Sequence, residues 1–209
     1  MDMSRPISTV ITTLDGPVLA ALARTTEPLS GSRVQRLAGA GSETGVRKVL
    51  RRLAATGLVT VSEAGASRMY ALNRNHLAAA AVLQLTSLRQ LLVDRIRALI
   101  ATWDPRPIHA SLFGSTARGD GDLDSDVDIL LIHEDFADPP SSWSDQVSDL
   151  AERVHEWTGN HAQMYEFSAS QLGEHLVAGE PIVQDWIRDG ITLAGVDFRH
   201  LRTAHRSPR

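Results

Sequence analysis

The stretch Leu112-Phe113-Gly114-Ser115-Thr116-Ala117-Arg118-Gly119, followed by Asp124-Ser125-Asp126-Val127-Asp128, decides how this chain is read. Ile108 to Phe113 predicts a short strand, Gly114-Ser115 a tight turn where a helix begins, and Val127 to Ile132 a second, apolar strand. Side chains two apart on a strand leave from one face, so Asp126 and Asp128 are expected to point the same way beside the glycine–serine turn. Two carboxylates so placed can hold a divalent cation against a triphosphate. Mg²⁺ takes hard oxygen ligands, usually one or two carboxylates plus substrate phosphates. The missing side chain at Gly114 lets a phosphate approach the backbone, and Ser115 offers a hydroxyl and an N–H at a helix start, where anions are favoured. Arg118 either neutralises a phosphate or pairs with Asp120, Asp122 or Asp124 to hold the loop.

Two plainer readings of the aspartates fail. An EF-hand counted from Asp122 needs glycine where Val127 stands and glutamate where His133 stands; counted from Asp120 it meets Ser125 and Leu131. A merely solvated acidic loop does not account for Asp128, which sits against Ile129-Leu130-Leu131, where a charge needs a partner.

Upstream, residues 5–13 read as extended and 17–25 as a first helix with Pro17 at its start. Ser30-Gly31-Ser32 caps a helix over 32–38 with Val34 and Leu37 inward, and Ser42 caps a third helix that ends at Gly57. In that third helix Val46, Val49, Leu50 and Leu53 make one apolar stripe, and Arg47, Lys48, Arg51 and Arg52 lie off it. Leu58–Glu63 and Arg68–Leu72, joined by Ala64-Gly65-Ala66-Ser67, predict a hairpin. One long helix is expected over 75–102, ended by Pro105 and Pro107. Downstream, Pro139-Pro140 breaks the chain, Ser141–Thr158 is a helix, and 161–167 alternate as a third strand. Helical pieces follow near 169–177 and 181–188, then a short extended end at 190–193 and a polar, basic, flexible tail. His133, His155 and His161 show no metal-ligand spacing, and the tryptophans at 103, 143, 157 and 186 read as core.

The charge divides along the chain. Residues 1–76 carry ten Lys and Arg against five Asp and Glu, a net +5; residues 77–209 carry eleven against twenty, a net −9. A basic part joined to an acidic part points to two domains with different partners. The absence of cysteine excludes disulfides and thiolate zinc sites and suits a cytoplasmic location. The N-terminus lacks the apolar core of a signal peptide, and the apolar region 77–100 is broken by Gln84, Arg89, Asp94, Arg95 and Arg97, so no membrane is expected as a partner.

Two resemblances follow from these residues. Helix, helix, glycine-containing turn, basic helix and hairpin over about residues 14–74 resemble a winged helix-turn-helix, with Leu53-Ala54-Ala55-Thr56-Gly57-Leu58-Val59 as the passage from recognition helix to wing. That likeness implies DNA binding through Arg47, Lys48 and Arg51, with Arg68 of the wing on a phosphate; a protein-binding module of the same shape is the alternative. Gly114-Ser115-Thr116-Ala117-Arg118-Gly119 with Asp124-Ser125-Asp126-Val127-Asp128 resembles the motif of the DNA polymerase β superfamily, nearest to its minimal nucleotidyltransferases, over roughly residues 85–196. This second likeness implies a mixed sheet flanked by helices, NTP as substrate and Mg²⁺ as cofactor. Asp126 and Asp128 would be the metal-binding and catalytic aspartates, and Gly114, Ser115 and Arg118 the nucleotide-binding residues.

The expected architecture is therefore α+β: a winged helix-turn-helix domain at 1–76, a linking helix at 77–104, a nucleotidyltransferase domain at 105–196 and a flexible tail at 197–209. The expected activity is Mg-dependent transfer of NMP from an NTP to a hydroxyl on RNA, protein or a small molecule. The resemblance extends to toxin–antitoxin and defence systems. A homodimer is open, though no stretch reads as a dimer seam. Members of this superfamily usually carry a third carboxylate on the strand after the helix; aligned on Phe167-Ser168, that position holds Gln163. A neutral amide is no general base. Glu166, the nearest carboxylate, is expected on the opposite face. The rival reading is thus a DNA-binding regulator whose impaired nucleotidyltransferase domain senses a nucleotide.

Overall fold

The computed structural model describes residues 1–136 and 140–206. The chain divides into two compact units: an N-terminal one of Asp2 and Ser4–Leu88, and a C-terminal one of Met1, Met3 and the chain from Arg89 onward.

In the N-terminal unit the Asp2 carboxylate accepts the Ser4 and Arg5 N–H groups (2.8 and 2.9 Å), and Pro6–Thr9 turns as a 3₁₀ helix rather than running extended. Helices α1 (Asp15–Ala23), α2 (Gly31–Ala38) and α3 (Glu43–Ala55) follow. Ser30 caps α2 through the Arg33 N–H, and Ser42 caps α3 through the Gly45 N–H. Val34, Val46, Val49, Leu50 and Leu53 are buried as expected, whereas Leu37, expected inward, is exposed. Strands β2 (Val59–Ala64) and β3 (Ser67–Leu72) form the hairpin. β3 also pairs with a two-residue strand β1 (Leu29–Ser30) that the sequence pattern did not announce, giving a three-stranded antiparallel sheet.

The single helix expected over 75–102 is two helices, α4 (Ala79–Thr86) and α5 (Leu88–Ile100). The Thr86 and Ser87 hydroxyls both donate to the Leu83 carbonyl (2.8 and 2.9 Å), and the Ser87 N–H turns to Gln84. Such side-chain competition ends a helix. Residues 77–104 are therefore not one linking element: α4 packs in the N-terminal core and α5 in the C-terminal one.

The C-terminal unit is built on β4 (His109–Phe113), β5 (Val127–His133), β6 (Ala162–Ser168) and β7 (Ile191–Gly195), in the order β6-β5-β4-β7. β5 and β6 are parallel, crossed over by α7 (Ser141–Thr158), and the other pairs are antiparallel. Both faces are covered, which is why β5 reads as a continuous apolar run. Leu92, Val93, Ile96 and Ile100 of α5 and Trp143, Leu150 and Val154 of α7 pack on Leu112, Ile129 and Leu131. On the other face α8 (Ala169–Ala178) and α9 (Pro181–Asp189) bring Leu172, Val183 and Trp186 against Phe113, Leu130 and Ile132. The expected flexible tail is helical, α10 (Phe198–Arg206), because Phe198 is buried against Trp186 and His109. Of the expected chain break, Pro140 caps α7; Pro139, like residues 207–209 of the expected tail, lies outside the described residues. No helix among the described residues is long and apolar enough to cross a membrane.

Candidate active site

β4 ends at Phe113, and Gly114 starts the five-residue helix α6 (Gly114–Arg118) at a φ of +69°. A β-carbon there would stand 2.3 Å from the Asp128 Oδ2, so position 114 must be glycine on two counts, conformation and space. The α6 carbonyls are held by Arg89, whose guanidinium donates to Ala117 O (2.6 Å) and Thr116 O (3.4 Å). The chain then folds back so that the Gly119, Asp120 and Gly121 N–H groups all converge on Ser115 O.

Asp128 lies directly opposite Phe113 across β4 and β5 and on the same face as Leu130 and Ile132. β5 begins only at Val127, so Asp126 ends the exposed loop before the strand rather than sharing strand geometry with Asp128. The two charges are still close enough to act on each other. Burial and then the Asp126 charge push the Asp128 carboxyl up to about 6; Arg118 pulls the other way, and Asp185 of α9 adds a still smaller push. Burial, then Asp128 and Asp126, also raise the Tyr165 phenol on β6. Gly114, Ser115, Asp126 and Asp128 thus meet at one end of one sheet face.

Arg118 is engaged in two ion pairs, one of them with a partner the sequence did not suggest. Its guanidinium donates to Asp120 (3.0 Å) and to Asp189 at the end of α9 (2.6 Å). The Asp189 side chain is only 3% exposed and also receives two hydrogen bonds from Arg188, which with Arg118 hold its carboxyl below its ordinary value. Asp189 lies 71 residues from Arg118, and no spacing rule links them.

Gln163 pairs in register with Asp128, and Glu166 with Leu131 one face over. Glu166 accepts the Trp143 indole N–H at 2.6 Å, on the α7 side of the sheet. The side of the sheet that carries Asp128 therefore has Gln163, not Glu166, as its neighbour on β6. His155 and His161 stack with ring centres 4.9 Å apart, and no group of three or more His, Cys, Asp or Glu among the described residues is arranged to hold a metal.

The other set of candidate residues lies wholly in the N-terminal unit. Arg47 and Arg51 of α3 and Arg68 of β3 line one groove of about 500 Å³ together with Ser30, Ser32 and Tyr70. Arg47 pairs with Glu43 one turn earlier (2.5 Å) and stays exposed. Lys48 is exposed but does not line the groove. Arg52 is tied to Asp15.

Residues 93–171 match the family model of the nucleotidyltransferase domain, a segment that contains α6, the acidic loop, β5 and β6. No curated protein matches the chain. Among solved structures, a toxin–antitoxin crystal structure with AMP-PNP aligns at 19% identity over 54% of this chain and 82% of that one, with a TM-score of 0.38, too distant to carry an argument. The family match supports the nucleotidyltransferase superfamily and a nucleotidyl transfer function for the C-terminal unit.

Proposed function

We propose that the C-terminal unit moves NMP from an NTP to an acceptor hydroxyl and that the N-terminal unit is a winged helix-turn-helix that binds DNA. The observation that carries the first part is the meeting of Asp126 and Asp128 with the Gly114-Ser115 turn inside the segment that matches the family model. Nucleotidyltransferase domains generally use a divalent metal, and the donor set here suits Mg²⁺: two hard carboxylates, of which Asp128 is raised first by burial and then by the Asp126 charge, a pairing that a cation relieves. Asp126 and Asp128 would hold it, with phosphate oxygens and water as the remaining ligands. When bound, the metal supplies charge neutralisation at the triphosphate. The Ser115 hydroxyl and the α6 N–H groups bind phosphate, and the Gly114 backbone permits its approach. Arg118, fixed by Asp189, sets α6 rather than clamping phosphate directly.

The second part rests on the exposed cations of α3 and β3 around one groove, in an element order that matches a winged helix-turn-helix. A toxin–antitoxin or defence role, with RNA or protein as acceptor, belongs to the same reading. The test is transfer of label from each α-labelled NTP, with Mg²⁺, into total RNA and total protein. Label in neither, together with no NTP binding, removes the enzyme reading.

One observation favours a second reading. Gln163 occupies the register position beside Asp128, and Glu166 is engaged with Trp143 on the opposite face. A site whose β6 neighbour is an amide rather than a third carboxylate suits a DNA-binding regulator that senses an NTP. Tight NTP binding without transfer selects it.

A further inference from the structure

The loop that delivers Asp126 carries Asp120, Asp122, Asp124 and Asp126 within seven residues. Four like charges so close repel one another, and the loop's shape needs support from outside it. Part of the support is internal: the Ser125 hydroxyl donates to Asp122 Oδ1 (2.7 Å) and accepts the Asp122 N–H (2.9 Å), and the Asp124 N–H reaches the same carboxylate (3.1 Å).

The largest external part comes from one side chain, beside the Arg118 bond to Asp120 and the Thr116 hydroxyl on Asp126 O. Asn160, in the turn between α7 and β6, is only 3% exposed. Its amide nitrogen faces three loop carbonyls: Ser125 at 2.9 Å, Leu123 at 3.3 Å and Asp122 at 3.4 Å. A flipped amide would set its oxygen against those three carbonyl oxygens, so the nitrogen is the atom that faces them. The Asn160 N–H goes to the Thr158 hydroxyl (3.0 Å), and its carbonyl meets His155 Nδ1 (3.3 Å). Around Asp126 the backbone is thus held on three successive residues: Ser125 O by Asn160, Asp126 O by the Thr116 hydroxyl of α6 (3.3 Å), and Val127 N–H by His161 O (2.8 Å). An aspartate at 160 would set a carboxylate against three carbonyl oxygens in an already acidic loop. A neutral amide is the group that fits.

We propose that Asn160 is a positioning residue for the metal-binding carboxylates. It fixes the loop so that Asp126 stands beside Asp128 before any metal arrives. The inference rests on the reading of Asp126 and Asp128 as metal ligands. Groups that orient metal ligands from outside typically change metal affinity by about 10- to 100-fold when removed.

The experiment compares the wild-type chain with Asn160→Asp, which keeps the volume and loses the donor, and with Asn160→Ser, which keeps one donor and carries the test if Asn160→Asp does not fold. The first readout needs no metal: hydrogen–deuterium exchange of amides 120–127 is expected to rise about 10-fold in Asn160→Asp while the rest of the C-terminal unit is unchanged. The second is NTP affinity by calorimetry across a Mg²⁺ series: the Mg²⁺ needed for half-maximal NTP binding rises about 10-fold, and saturating Mg²⁺ restores the affinity. Asn160→Ser falls between the two. Unchanged loop exchange with an unchanged Mg²⁺ requirement overturns the proposal. So does a uniform rise in exchange across the unit with a loss of NTP binding that Mg²⁺ does not restore, since Asn160 would then only stabilise the fold. A wild-type chain without Mg²⁺-dependent NTP binding overturns the metal-site reading itself, and that failure is visible before any variant is made.

Discussion

The arginines around the candidate site of the C-terminal unit and those around the groove of the N-terminal unit are used in opposite ways. Around the acidic site of the C-terminal unit, Arg89 serves the α6 carbonyls, and Arg118 and Arg188 share Asp189. In the N-terminal unit Arg47, Arg51 and Arg68 stand exposed around a groove, with Arg47 in only an exposed one-turn pair. Exposed pairs of that kind are worth little and yield easily to a phosphate. Charge counted along a sequence therefore says less than what each charge already touches. Arg89, Arg118 and Arg188 shape an acidic site, and Arg47, Arg51 and Arg68 stay available to a polyanion.

The sharpest way to break this comparison is to remove the acidic site. Asp126→Ala with Asp128→Ala is expected to lower Mg²⁺-dependent NTP affinity by more than ~10²-fold, since no other group of ligands among the described residues stands ready. Thermal stability without metal should hold or rise, because the pair repels itself. Calorimetry showing the same Mg²⁺-dependent affinity in the double variant would end the assignment of the metal to this end of the sheet.

Gln163 and Glu166 divide the next question between the two sheet faces. Gln163→Asp puts a carboxylate in register with Asp128 and is expected to raise any transferase rate by about 10²-fold, the low end for a general base. Glu166→Gln should leave the rate nearly unchanged and cost about 1 kcal/mol of stability through its weakened bond to Trp143. A rate abolished in Glu166→Gln with stability intact would move the third carboxylate to the other face and refute the register argument.

In the N-terminal unit, replacing Arg47, Lys48 and Arg51 by alanine should weaken duplex binding and flatten its salt dependence. For every phosphate that a removed cation no longer neutralises, the slope of log K against log salt changes by about 0.9. Since Lys48 does not line the groove that Arg47 and Arg51 share with Arg68, Lys48→Ala alone should change the slope least. An unaltered slope in the triple variant would remove α3 as the DNA-binding surface.

What the sequence made legible follows from periodicity and local chemistry. The glycine at 114, the strand at 127–133 and the helix at 141–158 each have a cause within a few residues. The same holds for the caps at Ser30 and Ser42. The misreadings have causes that local pattern does not carry. The break at Ser87 comes from two hydroxyls competing for one carbonyl inside an otherwise helical run. The tail helix forms because Phe198 finds Trp186, and that packing is invisible in a polar stretch read by itself. At the site, the motif residues were legible, but Arg89, Asn160 and Asp189, which fix them, lie far away in sequence and act through carbonyls and buried ion pairs. In α3 the basic face was legible; that Arg52 on it is occupied by Asp15 was not.

The smallest expected effect concerns a buried base at the far end of the sheet face that carries Asp128. His109 is fully buried; its Nδ1 meets Val196 O at 2.6 Å and its Nε2 meets the Ser111 hydroxyl at 2.9 Å. A carbonyl only accepts, so Nδ1 carries the proton and Nε2 accepts from Ser111. Burial holds the imidazole below its ordinary value of 6.5, against the smaller opposing effects of the Val196 bond and the Asp197 charge. The unfolded chain then binds this proton more readily than the folded one, so His109 leaves stability unaffected above pH 6.5. Below it stability falls, by at most ~1.4 kcal/mol per pH unit until the folded imidazole itself protonates. All four tryptophans lie in the C-terminal unit, so their fluorescence follows its unfolding alone. Denaturant midpoints between pH 7.5 and 5 should decline in the wild type. His109→Asn, less stable at pH 7.5, should show a shallower decline. An equal decline in both would assign the acid sensitivity elsewhere and leave the His109–Ser111 pair as packing alone.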